Sequence, residues 1–197
     1  QGEAFPIVKF HIAKKVGDSP KLPETLVRMR SLTEQDASNP DQPVPIAISM
    51  QHMALQLNGR SFEMYDVMDI ERIPVNTIQK IRISNDHGSM GGGMGGMRGG
   101  GRGGGMGMMM SMAHPIHLHG QQFKILSRTL KDQDSGDGYA TVKDGFIGSG
   151  WKDTVLVMPG EEVEIIKPFE DYTGLFLYHC HNLEHEDMGM MRNFHVS

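Results

Sequence analysis

Six of the ten histidines and the only cysteine of this chain fall in two short segments. The downstream segment, 178–190, reads YHCHNLEHEDMGM and the upstream segment, 114–119, reads HPIHLH. A cysteine thiolate, two imidazoles and a weakly bound thioether form the donor set of a blue-copper electron-transfer site. The downstream segment supplies the thiolate of Cys180, an imidazole and the thioether of Met190. The sequence therefore predicts one copper site that also takes a histidine from the upstream segment.

Strand periodicity predicts how these donors are divided between two sites. The run 174–181 is apolar and aromatic, as expected for a strand, so Cys180 faces one side and its two flanking histidines face the other. By the same alternation, His117 and His119 share one face of an extended segment, and His114 can diverge to the other. One strand would then present a thiolate to one metal and two imidazoles to a second, with a short covalent path between them.

The remaining sequence predicts an all-β fold, an antiparallel sandwich or barrel. Short runs rich in Ile, Val, Leu and Phe predict seven strands, at 45–50, 77–84, 122–128, 154–158, 162–167, 174–181 and 191–196. One short helix is predicted around 183–187. At 197 residues the chain is long enough for one core-forming domain with an appendage.

Composition excludes several classes of protein. The net charge of −5 with interspersed signs gives no basic footprint for nucleic acid and no polybasic membrane patch. No apolar run is long enough to span a bilayer. One cysteine excludes an internal disulfide, and the start at Gln1, without an initiator methionine or a signal pattern, suggests a mature or partial chain.

Methionine and glycine are over-represented, with 17 and 25 copies, and many of them lie in residues 88–112. This block has no hydrophobic period, so it is predicted to be a flexible, mobile surface loop inserted between strands. Its thioethers could collect Cu(I) or could serve no specific purpose. Residues 1–13 are predicted to be the terminal strand of a preceding domain, 14–43 a polar, Pro-rich linker, and 44–197 the main domain.

Together, the two donor segments resemble the ligand signatures of the C-terminal cupredoxin domain of multicopper oxidases, the laccase-like family. The resemblance runs from about Val44 to the C-terminus. Bacterial copper-resistance cuprous oxidases share the ending His-Glu-Asp-x-Gly-Met-Met and a methionine-rich insertion. The resemblance implies a cupredoxin-like Greek-key β-sandwich or barrel, a preceding domain of the same type, and a periplasmic or otherwise extracytoplasmic location.

The resemblance also implies the role of each donor. The type 1 copper ligands would be His114, Cys180, His185 and Met190, the type 2 ligand His117, and the type 3 ligands His119, His179 and His181. In this family the type 1 copper takes electrons from the substrate, and the trinuclear type 2 and type 3 cluster reduces dioxygen to water, with four coppers per complete enzyme. Cys180 would carry the electrons between them.

Three further residues are given roles by the resemblance. Glu186 would relay protons toward the oxygen-reducing cluster, or it could simply be a solvated helix residue. Met112 falls where related cuprous oxidases place a methionine for substrate Cu(I), and Met110 replaces its acidic partner. The substrate would be Cu(I), with phenols as an alternative. Asp153 could fix a ligand imidazole or could merely begin a strand, and 132–138 is interpreted as an acidic surface loop because position 143 is lysine, unlike a calcium loop.

The resemblance is incomplete in one respect. A full trinuclear cluster needs eight histidines, and this chain offers four for it, so N-terminal cupredoxin domains are expected to supply the others, from a separate chain or a missing part of the same polypeptide. Two other functions are considered: a stand-alone blue-copper electron carrier, and a copper-binding protein centred on the methionine-rich block. The paired His-x-His elements favour the oxidase, because the carrier would leave four histidines without a role and the copper-binding protein would need neither motif.

Overall fold

A computed structural model of the chain describes residues 6–51, 54–86, 112–131 and 136–197. The chain divides into two compact units, Gln1–Ser31 and Leu32–Ser197. No helix within the described residues is long and apolar enough to cross a membrane.

The first unit forms no regular structure in its described part. Residues 6–31 contain neither helix nor strand, and all of their side chains are exposed. The strand predicted within 1–13 is therefore not formed at residues 6–12. A lone extended segment is not a stable strand, because its backbone N–H and C=O groups need a neighbouring strand to pair with. The assignment of residues 1–13 to a preceding domain stays a prediction.

The second unit is built from strands. Its ten described strands are β1 (Val44–Gln51), β2 (Ala54–Leu57), β3 (Arg72–Ile73), β4 (Thr77–Ser84), β5 (His114–Leu118), β6 (Lys124–Leu130), β7 (Thr154–Val157), β8 (Glu161–Phe169), β9 (Gly174–Cys180) and β10 (Met191–Val196). Two short helices, α1 (Gly136–Val142) and α2 (Leu183–Asp187), join them. The seven predicted strands and the predicted helix all appear at their expected places, with ends shifted by a few residues at most.

The strands form two five-stranded sheets. Sheet I has the order β2-β1-β4-β8-β6, and sheet II has the order β3-β10-β9-β5-β7. Most neighbours are antiparallel, and the parallel pairs are β1 with β4 and β3 with β10. Apolar side chains from both sheets form one core, including Ile46, Ile81, Ile116, Val157 and Ile165. The predicted all-β fold is confirmed.

The second unit begins before the predicted domain boundary at residue 44. Leu32 and Ala37 are buried against Ile166 of β8 in a small apolar cluster of their own. Asn39 accepts a hydrogen bond from the backbone N–H of Lys80 and donates one to its carbonyl, at 2.7 and 3.0 Å. Polar composition had suggested that 14–43 is a linker, but these few apolar and amide anchors attach its last part to the outer face of sheet I.

Two predictions concern loops. The methionine-rich block 88–112, predicted as a mobile loop, lies outside the described residues except for Met112. The predicted acidic loop 132–138 is described only from residue 136, where α1 begins. The helix forms there because tertiary contacts outweigh the glycines: the ring of Tyr139 packs at 5.8 Å from that of Phe146, and Arg128 lies over Phe146 at 4.3 Å.

Candidate metal centre

The pairing of β5 with β9 places the donors. In this antiparallel pair Ile116 lies opposite Cys180, and His117 lies opposite His179. Opposite residues project to the same face of a sheet, and successive residues alternate. Buried and half-buried residues alternate along β5 accordingly, with His114 on the buried side. One face of sheet II therefore carries a sulfur and an imidazole, and the other carries a group of imidazoles.

Three donors converge on the buried face. The Sγ of Cys180 lies 3.5 Å from Nδ1 of His114 and 3.4 Å from Nδ1 of His185, and all three side chains are buried. For comparison, sulfur and nitrogen ligands of one tetrahedral metal, bound at about 2.3 and 2.0–2.1 Å, lie about 3.6 Å apart. The three atoms are thus spaced as ligands of a single ion, so the residues present fit a metal here.

Burial keeps these groups uncharged in the absence of metal. It lowers the pKa of His114 to about 4, with a smaller contribution from His185, and it also lowers the pKa of His185. Burial raises the pKa of the Cys180 thiol to about 11, although a hydrogen bond from the backbone of Asn182 acts to lower that pKa. Both imidazoles are therefore ready to bind at neutral pH, and a soft metal would have to displace the thiol proton.

The fourth predicted donor, Met190, is held close by backbone contacts. The backbone N–H of Cys180 donates to the carbonyl of Met190 at 3.1 Å, and that of Met190 donates to the carbonyl of His185 at 2.9 Å. Gly189, which precedes it, has a φ of 87°, a conformation that glycine adopts readily. This turn returns the chain after α2, and Met190 is fully buried.

A second cluster lies on the opposite face of sheet II. It consists of His117, His119 and His179, whose ligand atoms lie within 4.8 Å of one another. The two Nε2 atoms of His119 and His179 are 3.3 Å apart. His181 stands at its border, with its ring centroid 5.3 Å from that of His179 and 5.6 Å from that of His117. We call these four residues the histidine face.

Hydrogen bonds orient the histidine face. Nδ1 of His117 donates to Oγ1 of Thr154 at 2.9 Å, and this hydroxyl donates to Oδ1 of Asp153 at 3.0 Å. This arrangement leaves Nε2 of His117 available to a metal. Burial, followed by the positive charge that His179 could carry, lowers the pKa of His117. Sequence reasoning weighed Asp153 but missed Thr154, because only the pairing of β5 with β7, which sets Thr154 opposite His117, reveals it.

Glu186 lies at the border between the histidine face and solvent. Its Oε2 is 3.3 Å from Nδ1 of His179, and its side chain is partly exposed. The same Nδ1 lies 3.1 Å from the backbone carbonyl of Cys180. The carboxylate of Glu186 therefore contacts a cluster imidazole and is partly open to solvent.

Of the two predicted substrate methionines, only one is described. Met112 is exposed, and its carbonyl accepts a hydrogen bond from the buried Asn85 side chain at 3.0 Å, which pins the chain just before His114. Met110 lies outside the described residues. Met112 lies two residues before His114 along the chain.

Two donor clusters lie on opposite faces of one sheet and are linked through Cys180, and each groups side chains that could hold a metal ion. A family model described as multicopper oxidase matches residues 37–197. The chain therefore belongs to the multicopper oxidase family. Family membership implies copper, and the sulfur and imidazole donors described above are the ligand types that suit it.

Individual relatives agree with this assignment. The chain is 47% identical over 83 residues to a laccase of Haloferax volcanii, covering 42% of this chain and 13% of the laccase. It is 41% identical over 91 residues to a laccase of Bacillus subtilis, covering 43% and 18%. A crystal structure of a multi-copper oxidase from Pediococcus acidilactici matches with a TM-score of 0.61 and 27% identity, covering 91% of this chain and 30% of that one. The predicted cupredoxin-like fold is confirmed, and the match covers under a third of each of these three proteins.

Proposed function

We propose that this chain is the part of a multicopper oxidase that accepts electrons from a reduced substrate and passes them toward the site of dioxygen reduction. The buried cluster of His114, Cys180, His185 and Met190 would hold a type 1 copper. The histidine face would contribute His117 to a type 2 copper, and His119, His179 and His181 to a type 3 pair. Bound copper would supply the one-electron redox chemistry at the first site and the reduction of dioxygen to water at the second.

One observation carries this proposal: Cys180 belongs to the buried cluster, while both residues bonded to it belong to the histidine face. The peptide bonds from Cys180 to His179 and His181 are the shortest covalent connection between the two clusters. A second connection runs from the Cys180 carbonyl to Nδ1 of His179, across a hydrogen bond of 3.1 Å. A stand-alone electron carrier would need the buried cluster alone, and would have no use for imidazoles placed at the far end of this connection.

The residues around both clusters perform the supporting steps. Complete burial of Cys180 excludes water from its sulfur. Thr154 holds the ring of His117 through Nδ1, which leaves Nε2 available to a metal. Glu186 receives protons from solvent and delivers them beside His179, since reduction of dioxygen to water consumes protons.

The histidine face is expected to be completed by a partner. Its four histidines are half of the eight that a trinuclear site requires in this family. We therefore propose that cupredoxin domains elsewhere in the same polypeptide, or on a separate chain, supply the rest. The proposed location is extracytoplasmic, as for related copper oxidases, and the proposed substrate is Cu(I), with small phenols as the alternative. Met110 and Met112 would receive substrate Cu(I).

Copper content and colour of paired variants test the proposal. In the copper-loaded assembly containing this chain, Cys180→Ser should remove the blue absorbance and oxygen uptake but leave copper at the histidine face. His119→Asn should preserve the blue absorbance and lower the copper content. The matched control is His11→Asn, an exposed histidine outside both clusters, which should change neither property.

Two outcomes would contradict the proposal. Continued oxygen uptake by Cys180→Ser would show that electrons do not pass through this residue. A blue assembly that contains all co-purifying polypeptides, binds a single copper and takes up no oxygen would identify an electron carrier instead.

A further inference from the structure

A cavity of about 250 Å³ opens beside the histidine face, in the second unit. Its wall is largely apolar and aromatic, with Phe169, Phe176 and Val196 among the lining residues. Tyr172 lies at its lip and is exposed. His119 also lines it, so the cavity touches the histidine face but extends away from it toward the end of β8. The cavity could therefore bind an apolar ring, and most of it lies outside the proposed copper sites.

Lys167 is the one cationic side chain among the residues that line this cavity. It is 1% exposed, and its ammonium donates to the backbone carbonyl of Gln121. It also lies 5.2 Å from the ring centroid of Phe169. Among the described residues no carboxylate forms an ion pair with it. Burial lowers the pKa of Lys167 to about 8, so the charged form still predominates at pH 7.

A buried ammonium without a counter-charge is costly, and an isolated charge in an apolar setting is normally paired. Its single carbonyl partner leaves two of the three N–H donors of a lysine for other acceptors. The cavity beside it provides the space for such an acceptor. The cavity therefore suits a ligand that carries a negative charge for the ammonium and an apolar group for the aromatic wall.

We propose that the cavity beside Lys167 is a binding site for a small aromatic monocarboxylate, with its carboxylate on the ammonium and its ring against Phe169 and Phe176. The size fits one ring, because sites for drug-sized ligands begin at about 300 Å³. Lys167 supplies the positive charge that one carboxylate requires, and Glu170, which also lines the cavity, opposes a second anionic group on the ligand. The ligand would contact His119 at the edge of the histidine face.

This site does not depend on the proposed oxidase function, and the test measures binding alone. The probe is 4-fluorobenzoate, followed by fluorine NMR and calorimetry on the full chain, both copper-loaded and metal-free. The neutral isostere 4-fluorobenzamide is measured in parallel. Because a hydrogen bond to a charged group is lost, we expect the amide to bind about ten-fold more weakly than the carboxylate.

Two variants locate the binding. Lys167→Met keeps the length of the side chain and should weaken the carboxylate about ten-fold while leaving the amide nearly unchanged. Lys124→Met is the control. Lys124 belongs to β6, contacts the ring of Trp151 and does not line the cavity. The control should change neither ligand.

Three results would overturn the proposal. The first is no saturable binding of 4-fluorobenzoate in the millimolar range, and the second is equal binding of the acid and the amide. The third is carboxylate binding that requires copper and persists in Lys167→Met, which would place the carboxylate on the metal. Should Lys167→Met fail to fold, the comparison of acid and amide on the unaltered chain still decides the question.

Discussion

Replacing Arg192 by methionine should destabilise the second unit strongly, because it breaks a buried ion pair. Arg192 is 1% exposed, on β10, directly after the turn that carries Met190. Its Nε and Nη2 atoms donate to the two carboxylate oxygens of Glu71 at 2.9 and 2.6 Å, and Nη1 donates to Asp66 at 2.8 Å. Methionine fills much of the same space without a charge, so the variant leaves Glu71 fully buried and unpaired.

The expected loss follows from the contacts that remain. Breaking a buried ion pair by removing one partner costs about 3–5 kcal/mol. Glu71 would keep the hydroxyl of Tyr178 at 2.6 Å and the backbone N–H of Met68 at 2.8 Å, so the lower end applies. At about 2–4 °C per kcal/mol for a unit of this size, a loss of about 3 kcal/mol lowers the melting temperature by about 6–12 °C.

The assay is urea unfolding of the metal-free chain, so that copper binding does not mask the loss. Arg60→Met is the matched control, because Arg60 contacts the same Asp66 from a half-exposed position and should change stability far less. The double variant Glu71→Gln with Arg192→Met removes the unpaired charge and should recover much of the loss. The reasoning would be refuted if Arg192→Met lowered the free energy of unfolding by less than about 1 kcal/mol, well under the range for buried pairs. It would also be refuted if the double variant were less stable than Arg192→Met alone.

The other predictions concern the site and its supports. Thr154→Val should weaken copper binding at His117 by about 10–100-fold, as for lost partners of metal ligands, whereas Thr154→Ser should retain it in copper titrations. The metal-free chain should be fully stable above pH 6.5 and lose up to about 3 kcal/mol as the pH falls toward 4, because the folded state holds the pKa of His114 at about 4 and the unfolded state binds more protons in this window. Urea unfolding at several pH values should show this dependence of stability on pH, and His114→Asn should reduce it. The same pH dependence in His114→Asn would contradict the assignment of the effect to His114. Gly120→Ala should destabilise more than Gly59→Ala in the same assay, since both have positive φ but only Gly120 would place its new Cβ 3.2 Å from an aromatic ring.

Local alternation was enough to predict how the donors divide between faces. Along 178–181 a tyrosine and the cysteine alternate with histidines, and that pattern survives in any sheet with one buried face. His114 could be separated from His117 and His119 by counting positions alone. The long strands β4 and β8 were predictable because each carries several aliphatic residues in a short run. The metal roles of these donors are a prediction that the variants above would test.

Partners that come from distant parts of the chain could not be predicted from local pattern. Thr154 meets His117 only because β7 pairs with β5, and that pairing joins segments separated by the whole of β6 and α1. The burial of Lys167 could not be predicted from its residue type, and β8 has buried side chains on both faces from residue 165 to 169. The short strands β2 and β3 have too few residues for a periodicity, and Leu32 was hidden in a polar context.

The register of β5 against β9 couples the core to the chemistry of both clusters. Ile116, fully buried, lies opposite Cys180, and Leu118, also buried, lies opposite Tyr178. A slip of one residue would turn these aliphatic side chains outward and the histidine face inward, because strand side chains alternate strictly. The cost of exposing two large aliphatic side chains, about 1.5–3 kcal/mol each, opposes that slip. The apolar residues between the histidines therefore determine which imidazoles lie beside Cys180 and which meet on the other side of the sheet.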